Sequence, residues 1–109
     1  PSDLPGLDLL DRPAMTARKS VFVEAYTHDI AELGKPERSL VSRVIIKGWS
    51  KLIEPGPVGP DKAYTSAPKT VELYDLQADP LETKNLAGAR AEEVGRQRAR
   101  AQAAWNLQP

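Results

Sequence analysis

The stretch that most constrains this chain runs from Arg38 to Glu54, where two apolar segments flank Lys47-Gly48. Leu40 to Ile46 is rich in β-branched residues, which suit a pleated, half-buried surface. Gly48 adopts a positive φ without steric cost, as tight hairpin turns demand. The pattern predicts a β-hairpin. An isolated hairpin is marginal in water, so the rest of the chain must supply further strands and a cover.

Those strands are legible on either side. Ser20 to Thr27 reads as a first strand, with Val21, Val23 and Ala25 on a purely apolar face and Phe22, Glu24 and Tyr26 on a mixed one. Thr70 to Leu76 reads as a fourth. The hairpin carries apolar residues on both faces, which predicts a central position in the sheet. Ala89 to Trp105 is rich in Ala, Glu, Arg and Gln and predicts one long helix. Ala91, Val94, Ala101, Ala104 and Trp105 fall on one stripe, with Arg98 on the same line. Glu92 and Arg96 are an i, i+4 pair. Trp49 and Trp105 are expected to be the large anchors of the core. The expected fold class is α+β, a four-stranded antiparallel sheet packed against a C-terminal α-helix.

The connections are less regular. Pro1, Pro5 and Pro13 argue against regular structure in the opening segment, so residues 1–19 are expected to be an arm or linker. Its leucines suggest that it lies on something apolar. Pro55-Gly56-Pro57-Val58-Gly59-Pro60-Asp61 opens a surface loop that continues to Lys69. Asp79-Pro80-Leu81-Glu82 fits an N-cap, a first-turn proline and a capping-box glutamate, predicting a short helical turn that ends near Asn85-Leu86.

Several kinds of chemistry are excluded by residue type. The 109 residues include no cysteine, which rules out disulfides, thiolate metal sites and a cysteine nucleophile within them. A single histidine cannot form a multi-histidine metal centre. Lys plus Arg and Asp plus Glu both number 15, so no overall charge steers the chain to nucleic acid or an anionic membrane. No apolar run approaches the ~20 residues of a membrane span. Glu92 and Glu93 interrupt the helix arginines, favouring a solvated face over a nucleic-acid contact. No phosphate-cradling glycine motif occurs. No catalytic and no metal-ligating residue is assigned. His28 stands out at the end of the first strand beside Asp29, in a loop punctuated by Gly34 and Pro36. Loops at strand ends carry sites disproportionately, and a carboxylate can orient an imidazole. A structural histidine bonded to a backbone carbonyl remains the alternative.

In order and spacing, four segments resemble a known family. They are Leu4 to Asp11, Val21 to Asp29, Arg43 to Ile53, and Glu72-Leu73-Tyr74-Asp75-Leu76-Gln77-Ala78-Asp79-Pro80-Leu81-Glu82-Thr83-Lys84-Asn85-Leu86-Ala87. Together they look like the C-terminal region of the type I sulfatases, the arylsulfatase-like family within the alkaline-phosphatase superfamily. The most specific part is the pattern W-x-K-L-I followed by E-L-Y-D-L-x-x-D-P-x-E-x-x-N-L. The resemblance spans nearly the whole chain. It implies that residues 20–109 form a small C-terminal α+β subdomain, and that residues 1–19 lead to a larger N-terminal catalytic domain. In the family that larger domain carries C/S-x-P-x-R, whose Cys or Ser becomes formylglycine, together with a divalent cation, usually calcium. Its aldehyde hydrate attacks sulfur and releases an alcohol and sulfate.

None of this machinery lies in the present chain. Ser66-Ala67-Pro68-Lys69-Thr70 mimics the serine motif but has Thr70 where arginine is required. The expectation is therefore no cofactor in this chain and no catalysis by it alone. His28 and Asp29 are the positions carried over as substrate contacts, since loops of the subdomain border the family's substrate pocket. The chain begins at Pro1, as expected of a piece of a longer polypeptide. The expected partner is the catalytic domain, with self-association through an exposed sheet face as a consequence of its absence. The competing expectation is a free-standing binding or interaction module, monomeric and with a polar surface.

Overall fold

The computed structural model of the chain describes residues 6–58 and 66–105. Its elements run α1 (Arg12–Ala17), β1 (Val21–Tyr26), a 3-10 turn (Pro36–Ser39), β2 (Leu40–Lys47), β3 (Ser50–Pro55), β4 (Glu72–Asp75) and α2 (Ala91–Trp105). The strands form one antiparallel meander in the order β1-β2-β3-β4, which places the hairpin pair centrally. The α+β reading holds: four antiparallel strands and a C-terminal helix. Residues 59–65, in the middle of the expected surface loop, lie outside the described residues.

The hairpin turn is tighter than the sequence alone located it. Lys47 pairs with Ser50, so Gly48-Trp49 is a two-residue loop. Gly48 has φ 57°, the positive value that such loops require at their first position. This geometry corrects the expectation for Trp49. At the tip of the hairpin it is 61% exposed and anchors nothing. Only Trp105 behaves as an anchor. It meets Phe22 edge to face at 5.6 Å, and the Arg43 guanidinium lies 4.8 Å from its ring centre.

Register divides the sheet into two unlike faces. Phe22, Ile45, Leu52 and Leu73 stand in cross-strand line and point to one side. Ile45 and Leu52 are 0% exposed and Leu73 1%, packed against Val94 and Ala101 of α2. Val71, Leu86, Ala87 and Trp105 close the rim of this core. The helix therefore covers the mixed face of β1, and the purely apolar face looks the other way. On that second face Val21, Val44, Ile46 and Ile53 are only half-buried, and Val23 is 46% exposed. Tyr74 stands among them, in line with Ile46 and Lys51.

On α2 the buried positions are Val94, Gln97 and Ala101. Arg98 lies beside the apolar stripe and, half exposed, reaches across the rim of the helix–sheet contact to Glu54. Gln97 takes the inward place because Ser50 on the facing strand offers a polar partner, and Gln97 Nε2 donates to Ser50 Oγ at 2.6 Å. The Glu92–Arg96 pair is present but loose at 3.7 Å with Glu92 almost fully exposed, so it contributes little. Gly95 lies on the exposed side, where an added Cβ would meet nothing. Gly95→Ala should therefore stabilise the protein by about 1 kcal/mol, the helix-propensity difference, read as a higher urea midpoint with an unchanged slope. A lowered midpoint would contradict this packing of α2.

Two connections differ from expectation. Arg12–Ala17 is helical, although the opening prolines argued against regular structure. Asp11 caps it, accepting from the Ala14 amide at 3.0 Å, and Pro13 sits in the first turn, where its missing N–H has no intrahelical partner to lose. Among the described residues the arm's leucines are little covered: Leu7 is 46% exposed, Leu9 76% and Leu10 88%. The second difference lies at Asp79. The four residues form a turn closed by Glu82 N to Asp79 O at 3.1 Å, and Glu82 takes φ 55° instead of entering a helix. Asp79 serves Thr83 Oγ1 and the Lys84 amide, while the Glu82 carboxylate reaches across to Lys51 Nζ at 2.7 and 2.9 Å. A glutamate held by a lysine on the sheet is not available to fold back on a cap.

Candidate functional site

The fold positions three features that bear on function. The first is the loop between β1 and β2. His28 and Asp29 lie adjacent in its opening bend, both exposed. Asp29, with Tyr26, Thr27, Ile30, Leu33 and Pro36, lines a largely apolar cavity of about 240 Å3. Thr27 Oγ1 donates to the Asp29 carbonyl and the Ala31 amide donates to Ser39 Oγ, so the loop is braced at both ends. Its Ile30 and Leu33 side chains are 70% and 86% exposed. Of the two residues singled out from the sequence, Asp29 is thus part of a cavity wall, and His28 sits beside it.

The second feature is the open sheet face. Its apolar centre is edged by charge and hydroxyl groups: the Lys51–Glu82 ion pair, Glu72, and Tyr74, whose hydroxyl donates to Glu72 at 2.9 Å. Burial and the Glu72 carboxylate push the Tyr74 phenol up to about 12, so it remains a neutral donor throughout the physiological range. Behind the edge the Asp79 turn is organised by its carboxylate. Hydrogen bonds from the Thr83 and Lys84 amides hold that carboxyl below its ordinary value.

The far edge of the sheet is finished by a side chain. Asn85 Oδ1 accepts from the Leu73 amide at 3.0 Å and from the Ala87 amide at 2.9 Å, and its Nδ2 donates to the Val71 carbonyl at 3.1 Å. Leu86 N bonds Leu73 O at 2.8 Å. The segment after the turn thereby covers part of the β4 edge, and among the described residues β1 is the edge left open. The resemblance includes this asparagine, and the geometry gives it a structural task.

The third feature, which sequence reasoning missed, is a groove between the hairpin end and α2. Lys47, Ser50, Glu93, Arg96, Gln97 and Arg100 line a cavity of about 290 Å3 there. The residues come from segments some fifty positions apart, so no local pattern announces it.

No group of three or more His, Asp or Glu side chains among the described residues is placed to hold a metal ion. Among the described residues no helix is long and apolar enough to cross a membrane. Comparison with models of known protein families and with curated protein sequences found no match.

Proposed function

We propose that this chain is the C-terminal subdomain of a sulfatase-like enzyme, a sulfuric ester hydrolase, docked through its open sheet face onto a separate catalytic domain. The observation that carries the reading is the asymmetry of the sheet. One face is sealed by α2. The other presents Val21, Val23, Val44, Ile46 and Ile53 without complete cover. Contiguous apolar surface rimmed by polar groups is the mark of an interaction site. The arm leucines and the Ile30–Leu33 loop add exposed apolar side chains. The ordered segments that resemble the sulfatase C-terminal region, the Asp79 turn among them, indicate which kind of partner that surface fits.

In this reading the chain carries no catalytic group. Formylglycine and a divalent cation, calcium in most of the family, belong to the partner. This chain supplies a wall: the loop at His28 and Asp29 borders the substrate pocket, with the apolar cavity behind Asp29 facing the alcohol part of the ester. The exposure of that apolar surface disfavours the alternative of a self-sufficient module with a polar surface.

The test is reconstitution. The chain alone should hydrolyse an aryl sulfate no faster than buffer. Mixed with, or joined in frame behind, the polypeptide encoded upstream that carries C/S-x-P-x-R, it should form a one-to-one complex by light scattering and restore activity. A monomeric chain that binds no such polypeptide, or an upstream sequence without that motif, overturns the reading.

A further inference from the structure

The fold finishes one edge of its sheet and leaves the other bare. At β4, Asn85 accepts from the Leu73 amide and donates to the Val71 carbonyl, and Leu86 N bonds Leu73 O, so part of that edge is occupied. Among the described residues β1 pairs with β2 alone. Its outer row of backbone donors and acceptors is a template for another strand, and the devices that usually deter such pairing are missing from it. Val21–Tyr26 contains no proline and no lysine. At the irregularity opposite Ala25 and Tyr26 the extra residue, Val41, belongs to β2. The single charge of β1, Glu24, is held by Arg43 at 2.8 Å and by the Tyr26 hydroxyl at 2.9 Å. Phe22, Val23 and Tyr26 stand exposed along this edge.

We propose that β1 is the pairing edge for a second copy of this chain, joined antiparallel about a two-fold axis through Val23 so that the two four-stranded sheets become one. The strand is its own complement in a single register. Residues directly opposite in a continuous sheet point to the same face, so the axis must pass through a residue and not between two. An axis at Phe22 would pair only Val21–Val23 within the strand. An axis at Glu24 would pair Phe22–Tyr26 but set Glu24 against Glu24 of the second copy, a like-charge contact. An axis at Val23 pairs Val21–Ala25 with no like charges opposed. Val23 then meets Val23 of the second copy, Val21 meets Ala25, and Phe22 meets a Glu24 already neutralised by Arg43. Antiparallel pairing also sets the start of each β1 beside the end of the other. The arm, with Leu9 and Leu10 exposed, enters at the start, and the loop with exposed Ile30 and Leu33 leaves at the end. Each copy thus brings apolar side chains to the same corners as the other. Because the β4 edge is partly occupied, pairing stops at two copies instead of extending into a filament. The pairing uses an edge and leaves the uncovered sheet face free, so it stands or falls apart from the docking reading.

The test uses the full chain alone, with no other polypeptide present. Light scattering and sedimentation over micromolar to submillimolar concentrations should show monomer passing to dimer, with no larger species. Amide exchange, which needs no substitution, should slow with concentration at the β1 amides that face away from β2 and stay constant along α2. Val23→Glu and Val23→Lys, checked for retained fold by circular dichroism, should each weaken dimerisation roughly tenfold, because at the axis each new charge meets itself. Mixed in equal amounts, the two variants should recover most of that loss, since opposite charges then face each other. A monomer at every concentration, with β1 exchange independent of concentration, overturns the proposal. So does a dimer indifferent to both substitutions, or a mixture that associates no better than either variant alone. Growth past the dimer also overturns it, since that would mean indiscriminate edge aggregation.

Discussion

Leu52→Ala should destabilise the protein by about 3 kcal/mol, within the range for deleting a fully buried leucine side chain. Leu52 is 0% exposed and sits at the centre of the covered face, between Ile45 and Leu73 in register. Val94 and Ala101 close over the same cluster. Both neighbouring side chains hang from central or hydrogen-bonded strands, and α2 meets the sheet through small residues, so little can move in to fill the gap. A chain of this length has roughly 5–15 kcal/mol of stability in total, and a core of so few fully buried side chains points to the lower end. The loss should appear as a fall in melting temperature of about 15 °C. A fall of a few degrees would mean that Leu52 is not the keystone of the packing.

Gly56→Ala should be nearly as damaging, for the opposite reason. A Cβ at Gly56 would lie 2.1 Å from the Leu40 carbonyl oxygen and 2.6 Å from its carbon. These are backbone atoms and cannot swing aside. The close approach is fixed from both sides: Gly56 N bonds Val41 O at 2.8 Å and Val58 N bonds Leu40 O at 3.2 Å. It falls where β2 carries an irregularity, since Ala25 pairs with Ser42 and Tyr26 with Leu40, leaving Val41 as the extra residue. Relief requires peeling the chain after β3 away from β2, at a cost of about 2–3 kcal/mol. Amide exchange should then quicken at Gly56 and Val58 more than at the Ile45–Leu52 centre. Uniform exchange with an unchanged urea midpoint would show that the contact is looser than described.

The fold was legible wherever one residue type has one physical use. The β-branched run of β2, the turn glycine and the Ala-Glu-Arg composition of α2 each permit a single local structure, and each formed. The readings that failed did so where a residue has two uses. Pro13 breaks a helix in its interior and is welcome in its first turn, and Asp11 decided which. Asp79 could cap a helix or organise a turn, and the Lys51 ammonium, 31 positions before Glu82, drew that glutamate out of the helical alternative. Trp49 was expected inside on size alone, but a two-residue loop must display what it carries. Gln97 was passed over on the helix because its partner, Ser50, is visible only once strand and helix are packed.

The same distinction applies to the sites. His28 and Asp29 were marked by local logic, a strand end and an adjacent carboxylate, and the fold places them together in one exposed bend with Asp29 at a cavity wall. The cationic groove joins Lys47 to Arg96 and Arg100 through tertiary packing alone. The apolar second face was in principle readable, since Val21, Val23 and Ala25 alternate cleanly. Which face the helix would choose was not, because that depends on Trp105 meeting Phe22 and Arg43 and on Gln97 meeting Ser50. The helix covers the face whose polar groups it can satisfy, and the apolar face of β1 is the one it leaves uncovered.

The claim that this second face is an interface is tested most directly by calorimetric titration of the chain into the catalytic polypeptide that carries C/S-x-P-x-R, with Val23→Glu compared against the unaltered protein. Val23 is 46% exposed on an edge strand, so the substitution should leave folding intact. The account predicts saturable one-to-one binding with a negative heat-capacity change, weakened by roughly a hundredfold when the carboxylate is placed in the apolar contact. Binding of equal strength by the two proteins would contradict it.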